Sequence, residues 1–136
     1  MQSTINLTLA SVAAGLLAGR VAAPPIAGDL QTAREACNRQ YPMRVANYLP
    51  HANCVNAAVE AYALPSAKHP DLIRLQEEVR VSLSGKIDRH RLSVQAGERR
   101  MAEADRLVAA AEKERDAGNE KAADRRVATL EKILRE

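Results

Sequence analysis

The chain has 136 residues, a length that fits one domain, and its net charge at pH 7 is +3. It contains no Phe or Trp, so its core must be built from Leu, Ile, Val and Ala, which favours thin helical packing over a thick β-sandwich. Basic and acidic residues are nearly balanced from Leu72 onward, which argues against the one-sided basic surface of a nucleic-acid-binding protein. The composition therefore predicts an all-α protein with no nucleic-acid partner.

Residues 1–27 have the pattern of a secretory signal peptide. Residues 5–18 are mostly apolar, and at about 14 residues this run is shorter than the roughly 20 that a membrane-spanning helix needs. Small residues follow it, as at a signal cleavage site. We therefore expect the mature chain to begin between residues 22 and 29, and the protein to be periplasmic or secreted. The alternative is an uncleaved N-terminal anchor that would hold the protein at the inner membrane.

Residues 28–66 are predicted to form a lead-in of two helices before the main body of a single helical domain, residues 28–136. Asp29 is suited to cap the first helix, which should end before Pro42. Residues 43–50 are expected to be irregular, because a proline stands at each boundary. The second helix of the lead-in is predicted over residues 52–64.

The two cysteines of the chain, Cys37 and Cys54, lie one in each predicted lead-in helix. An even count in an exported chain favours a disulfide, which would close a loop of about 18 residues and stabilise the fold by roughly 3 kcal/mol. The alternative is a metal site that adds His51, which lies one helical turn before Cys54. Because no fourth ligand is visible, we favour the disulfide and expect no metal or other cofactor.

Residues 69–111 are predicted to form an antiparallel helical hairpin, because a short polar turn separates two amphipathic helices. Pro70 suits the first position of one helix, and Ser93 is a favourable N-cap for the other. Apolar or small residues recur at steps of three and four and give each helix one stripe. The stripes are Leu72, Leu75, Val79, Leu83 and Ile87, and Val94, Gly97, Met101, Ala104, Val108 and Ala111. Glu77 lies outside the first stripe and is expected to be solvated.

Short segments across residues 52–112 resemble a group of short, exported, helical bacterial proteins with no assigned activity. The matching segments are Cys54-Val55-Asn56-Ala57-Ala58, Pro70-Asp71-Leu72, Lys86-Ile87-Asp88 and Leu92-Ser93. The chain departs from the pattern at His69, where the group usually has Tyr, and at Arg89-His90-Arg91, where a smaller turn is usual. The resemblance implies a helical fold and an exported location, and it lends no catalytic residue.

Residues 112–136 are predicted to form a charged helical extension. Gly118 and Asn119 favour a helix stop followed by a new cap, although one unbroken helix from Val94 to the end is the alternative. The last helix carries three candidate interaction residues: Val127, Leu130 and Leu134. These side chains could bind a partner, but internal packing is the interpretation that we favour.

No catalytic motif accompanies this architecture. The three histidines are isolated from any recognisable nucleophile: His51, His69 and His90. Asp71 near His69 could form an acid–base pair, yet the start of a helix explains both residues more simply. We therefore expect a non-enzymatic module of the bacterial envelope that is structural or binds an unknown protein partner. The alternatives are an anchored accessory subunit of a membrane complex and a metal or stress sensor using Cys and His.

Overall fold

The computed structural model describes residues 28–136, which fold into five α-helices without a strand and confirm the all-α prediction. The helices, numbered in chain order, are α1 (Leu30–Gln40), α2 (Tyr48–Tyr62), α3 (Pro70–Asp88), α4 (Val94–Asp116) and α5 (Glu120–Arg135). A 3-10 turn, Leu64–Ser66, joins α2 to α3. In this part of the chain no helix is both long and apolar enough to cross a membrane. The predicted signal peptide and the alternative anchor fall in residues 1–27, outside the described residues.

The lead-in is an α1–α2 pair joined by a disulfide. Asp29 caps α1, since its Oδ1 accepts a hydrogen bond of 2.8 Å from the backbone N–H of Thr32. Cys37 and Cys54 are bonded, and their Cα atoms are 5.7 Å apart. Cys37 is completely buried, and it shares a small apolar cluster with Val55. The predicted bridge between the first two helices is therefore present.

The N-terminus of α2 lies at Tyr48, earlier than predicted. The expectation that residues 43–50 are irregular is therefore wrong over the last part of that segment. Pro50 does not end a helix here, because it lies in the first turn of α2, where a missing backbone N–H breaks no intrahelical hydrogen bond.

Asp88, the last residue of α3, explains why α2 begins early. Its carboxylate accepts hydrogen bonds from the backbone N–H groups of Ala46 at 2.7 Å, Tyr48 at 3.2 Å and Leu49 at 2.8 Å. The local N-cap residue, Asn47, makes no side-chain capping bond. A carboxylate from a distant part of the chain thus satisfies the otherwise unpaired donors of the first turn of α2.

The predicted antiparallel hairpin is formed by α3 and α4. The side chains buried along their contact are Leu72, Val79, Leu83, Ala104, Val108 and Ala111. The hydroxyl of Ser93 caps α4 by accepting a hydrogen bond of 3.2 Å from Ala96 N–H. The helices approach closely at Gly97, where an added Cβ would lie 2.8 Å from Cγ1 of Ile87. Any larger residue at position 97 would therefore force the buried side chain of Ile87 to shift.

A break between α4 and α5 allows α5 to fold back on the hairpin. Gly118 has φ of +73°, a left-handed conformation that favours glycine at a helix end. Asn119 then caps α5 through a 3.4 Å hydrogen bond from Ala122 N–H. The prediction of a break is confirmed, and the alternative of one unbroken helix is wrong. α5 packs against both α3 and α4.

Candidate functional site

An open surface groove of about 500 Å³ lies beside α3, at its border with α2 and α5. We call it the Glu77 groove. Its charged lining is mainly acidic and comprises Glu60, Glu77, Glu78 and Arg74. Leu134 of α5 contributes an apolar side chain to the same groove. The groove therefore combines a negative charge with an apolar contact.

Glu77 is a carboxylic acid that is only 7% exposed. Its Oε1 is buried and has no hydrogen-bond donor among residues 28–136. The expectation that Glu77 is solvated is wrong. That expectation assumed that α3 buries one apolar stripe, whereas α3 packs against α2 as well as against α4 and α5.

Burial raises the pKa of Glu77, and the nearby negative charge of Glu60 raises it further. The positive charges of Arg80 and Arg74 act in the opposite direction but do not cancel the increase. Ionised Glu77 is thus incompletely compensated by its surroundings. A hydrogen-bond donor with a positive charge would complete this environment.

A second recess, which we call the Arg80 cavity, lies between α2, α3 and α4 and has a volume of about 160 Å³. Its walls are mainly apolar and include Tyr48, Val55, Ile87 and Met101. Four polar residues also line it: His51, Arg80, Ser84 and Glu98. The hydroxyl of Tyr48 donates a hydrogen bond of 3.4 Å to Glu98 Oε1 at this wall.

Arg80 is the cation of this cavity. Its Nη1 donates a hydrogen bond to Oδ1 of Asn56, whose Nδ2 in turn donates to the backbone oxygen of Glu77 at 3.1 Å. Within residues 28–136 no carboxylate oxygen lies within 4.0 Å of the Arg80 guanidinium. Burial lowers the pKa of Arg80, although the charge of Asp105 opposes the decrease. The guanidinium is held in place by an amide but lacks a close counter-ion.

Of the three residues considered for a metal site, His51 lines the Arg80 cavity and the two cysteines do not. Both sulfur atoms of Cys37 and Cys54 are used in the disulfide, so neither is a thiolate ligand in this structure. His51 Nε2 is 2.7 Å from Asn38 Oδ1, and burial together with the charge of Arg80 lowers the pKa of His51. Over the described residues no group of three or more His, Cys, Asp or Glu side chains is arranged to hold a metal ion.

His69 and Asp71, the pair considered for acid–base chemistry, bind different partners in the structure. His69 Nε2 lies 2.8 Å from Asp116 Oδ1, whereas Asp71 accepts two hydrogen bonds from Arg115 Nη1, at 2.8 and 2.7 Å. Burial acts to raise the pKa of Asp71, but the hydrogen bonds and charge of Arg115 outweigh it and lower this pKa. Both residues thus tie the start of α3 to the end of α4.

The candidate interaction residues of α5 are used inside the protein. Leu130 is completely buried, and Val127 and Leu134 pack against the same core. Leu134 differs from the other two because it also borders the Glu77 groove. The structure thus shows the internal packing that we favour from the sequence.

Sequence reasoning missed Glu77, Arg80 and Glu98 as functional candidates. A weak signal was present, because Glu77 and Arg80 are three residues apart and so share one side of α3. Two charged residues beside an apolar stripe usually indicate a solvated surface, and only the position of α2 shows that this side of α3 is packed.

Comparisons with protein families, with curated proteins and with solved structures found no match to this chain.

Proposed function

We propose that the protein is an exported, non-enzymatic helical module of the bacterial cell envelope that binds a protein partner through the Glu77 groove. The disulfide between Cys37 and Cys54 supports export, since such bonds persist in oxidising compartments and are rare in the cytosol. The apolar run in residues 5–18 supports the same location.

The observation that carries the binding proposal is the buried, unpaired oxygen of Glu77. A buried polar atom without a partner costs roughly 1–3 kcal/mol, and more when it is charged. When the Glu77 carboxylate turns toward the groove that it lines, an Arg or Lys side chain from a partner would supply both the missing donor and the missing charge. Glu60 and Glu78 would attract the same basic side chain toward the groove.

The apolar contact in the groove defines the partner further. Leu134 is partly buried and lies beside the acidic residues, so it offers a surface for an aliphatic side chain. The partner segment that fits is therefore one basic residue flanked by an apolar residue. Such a contact does not require the α5 helix to leave the hairpin.

A photo-crosslinking amino acid at Val81, within the groove, tests this proposal in the intact envelope, and the exposed residue Arg99 of α4 is the control position. We expect a discrete protein adduct from position 81 and none of the same mass from position 99. Glu77→Gln should abolish the adduct, whereas Glu120→Gln on the surface of α5 should preserve it. An adduct that survives Glu77→Gln, or no adduct at position 81, would contradict the proposal.

Export is tested separately by fractionation and intact mass measurement. We expect a periplasmic protein whose first residue lies between 22 and 29. A full-length product in the membrane fraction would instead support an accessory subunit with a retained N-terminal anchor.

A further inference from the structure

We propose that the Arg80 cavity is a binding site for a small organic monoanion, namely a carboxylate that carries a short aliphatic or aromatic group. This site is separate from the Glu77 groove and does not depend on the function proposed for it. Two observations carry the inference: an apolar cavity of suitable volume, and an arginine among its lining residues, Arg80, whose mostly buried guanidinium has no carboxylate oxygen within 4.0 Å in residues 28–136.

The volume and walls of the cavity define the apolar part of the ligand. At about 160 Å³ the cavity is close to the roughly 150 Å³ of an engineered apolar cavity that holds benzene. Val55, Ile87 and Met101 offer hydrocarbon contacts, and Tyr48 offers an aromatic face. A chain of about five carbon atoms or one phenyl ring fits this space, whereas a long acyl chain does not.

Arg80 defines the polar part of the ligand. Asn56 holds the guanidinium by one nitrogen, Nη1, and no hydrogen bond to another residue in 28–136 uses the remaining N–H donors. A guanidinium binds a carboxylate through two parallel hydrogen bonds, and the mainly apolar surroundings strengthen this attraction. A single negative charge is favoured, because Glu98 lies in the cavity wall and Asp105 lies near Arg80.

Met43 is an exposed residue of the cavity wall. It lines the cavity and is 53% exposed, so it lies between the cavity and the solvent. Methionine is flexible and adapts to differently shaped apolar ligands. The site therefore fits a class of short carboxylates better than one rigid molecule.

The site can be tested by titrating the full, disulfide-bonded chain with hexanoate and with hexan-1-ol. Binding is monitored through the amide NMR shifts. We expect saturable shifts at Tyr48, Ser84 and Glu98, and at least tenfold tighter binding of hexanoate than of the alcohol. Arg80→Met should weaken hexanoate binding at least tenfold and leave the binding of hexan-1-ol unchanged. Glu98→Gln should tighten hexanoate binding, because it removes a repelling charge but keeps an acceptor for the Tyr48 hydroxyl.

Equal affinity for hexanoate and hexan-1-ol, or no saturable shift for hexanoate, would overturn the proposal. Glu98 is exposed on α4, and the Glu98→Gln variant provides a second test if the Arg80→Met variant does not fold. In that event, hexanoate binding that is unchanged by Glu98→Gln would also contradict recognition of a carboxylate in this cavity.

Discussion

The α1–α2 lead-in and the α3–α5 bundle are stabilised by different means. The bundle buries a continuous apolar core made of Leu72, Val79, Leu83, Ala104, Val108, Ala111, Ala123, Leu130 and Ile133. The lead-in has a much smaller buried cluster of Cys37, Val55 and Val59. It adds a disulfide and the carboxylate of Asp88, which caps α2. Where the buried apolar surface is small, a covalent bond and charge-assisted hydrogen bonds hold the helices.

The largest expected effect follows from removing a core side chain of the bundle. Leu83 is completely buried, and Leu83→Ala should lower the free energy of unfolding by roughly 2–5 kcal/mol through lost contacts and a cavity. Arg89→Ala in the exposed turn is the control and should change it by less than about 0.5 kcal/mol. Urea denaturation measures both, and equal effects would show that the register of α3 is wrong.

Breaking the disulfide should affect the lead-in more than the bundle. Replacing both Cys37 and Cys54 by Ser should lower the free energy of unfolding by roughly 3 kcal/mol in the chain-entropy model. Hydrogen exchange should show lost protection in α1 while the amides of α4 keep theirs. A uniform loss across all helices would contradict the division into two differently stabilised regions. Thiol labelling of the native protein should find no free thiol.

Asp88→Ala removes the acceptor for three backbone N–H groups at the start of α2. We expect a loss of about 1–2 kcal/mol, the usual range for a lost helix cap. Exchange of the Leu49 amide should accelerate more than exchange in α5. Asp124 is exposed on α5, and Asp124→Ala is the matched control for the loss of one negative charge. Unchanged exchange at Leu49 would contradict the capping role.

The smallest expected effect is a gain in stability and not a loss. Because the pKa of Glu77 is raised in the folded protein, the folded state holds its proton more tightly than the unfolded state. Stability is therefore lost as the pH rises from the ordinary value, about 4.3, through the raised pKa. Glu77→Gln should increase stability at pH 7 by up to about 1 kcal/mol, and this gain should vanish below about pH 4. The same gain at both pH values would show that charge is not the cause.

Much of the fold could be predicted from the sequence, because its signals are local. Asp29, Ser93 and Asn119 cap their helices through hydrogen bonds within one turn, and such caps follow from residue type and position. The apolar stripes of α3 and α4 likewise follow from helical spacing. The cysteine pair is predictable because the chain contains only these two.

The candidate site could not be predicted, because it depends on contacts between distant residues. The early start of α2 requires Asp88, and the burial of Glu77 requires α2 beside α3. Only the folded structure shows that the partner of the Arg80 guanidinium is the amide of Asn56 and not a carboxylate. The spacing of residues along the chain indicates none of these contacts.

The carboxylate of Asp88 also makes the start of one helix depend on the end of another. The donors that it satisfies lie 39 to 42 residues earlier in the chain, so the start of α2 is fully hydrogen-bonded only when the end of α3 is in place. The disulfide has no such dependence, because both cysteines precede α3. The covalent link of the lead-in therefore lies entirely within α1 and α2, whereas the residue at which α2 begins depends on the last residue of α3.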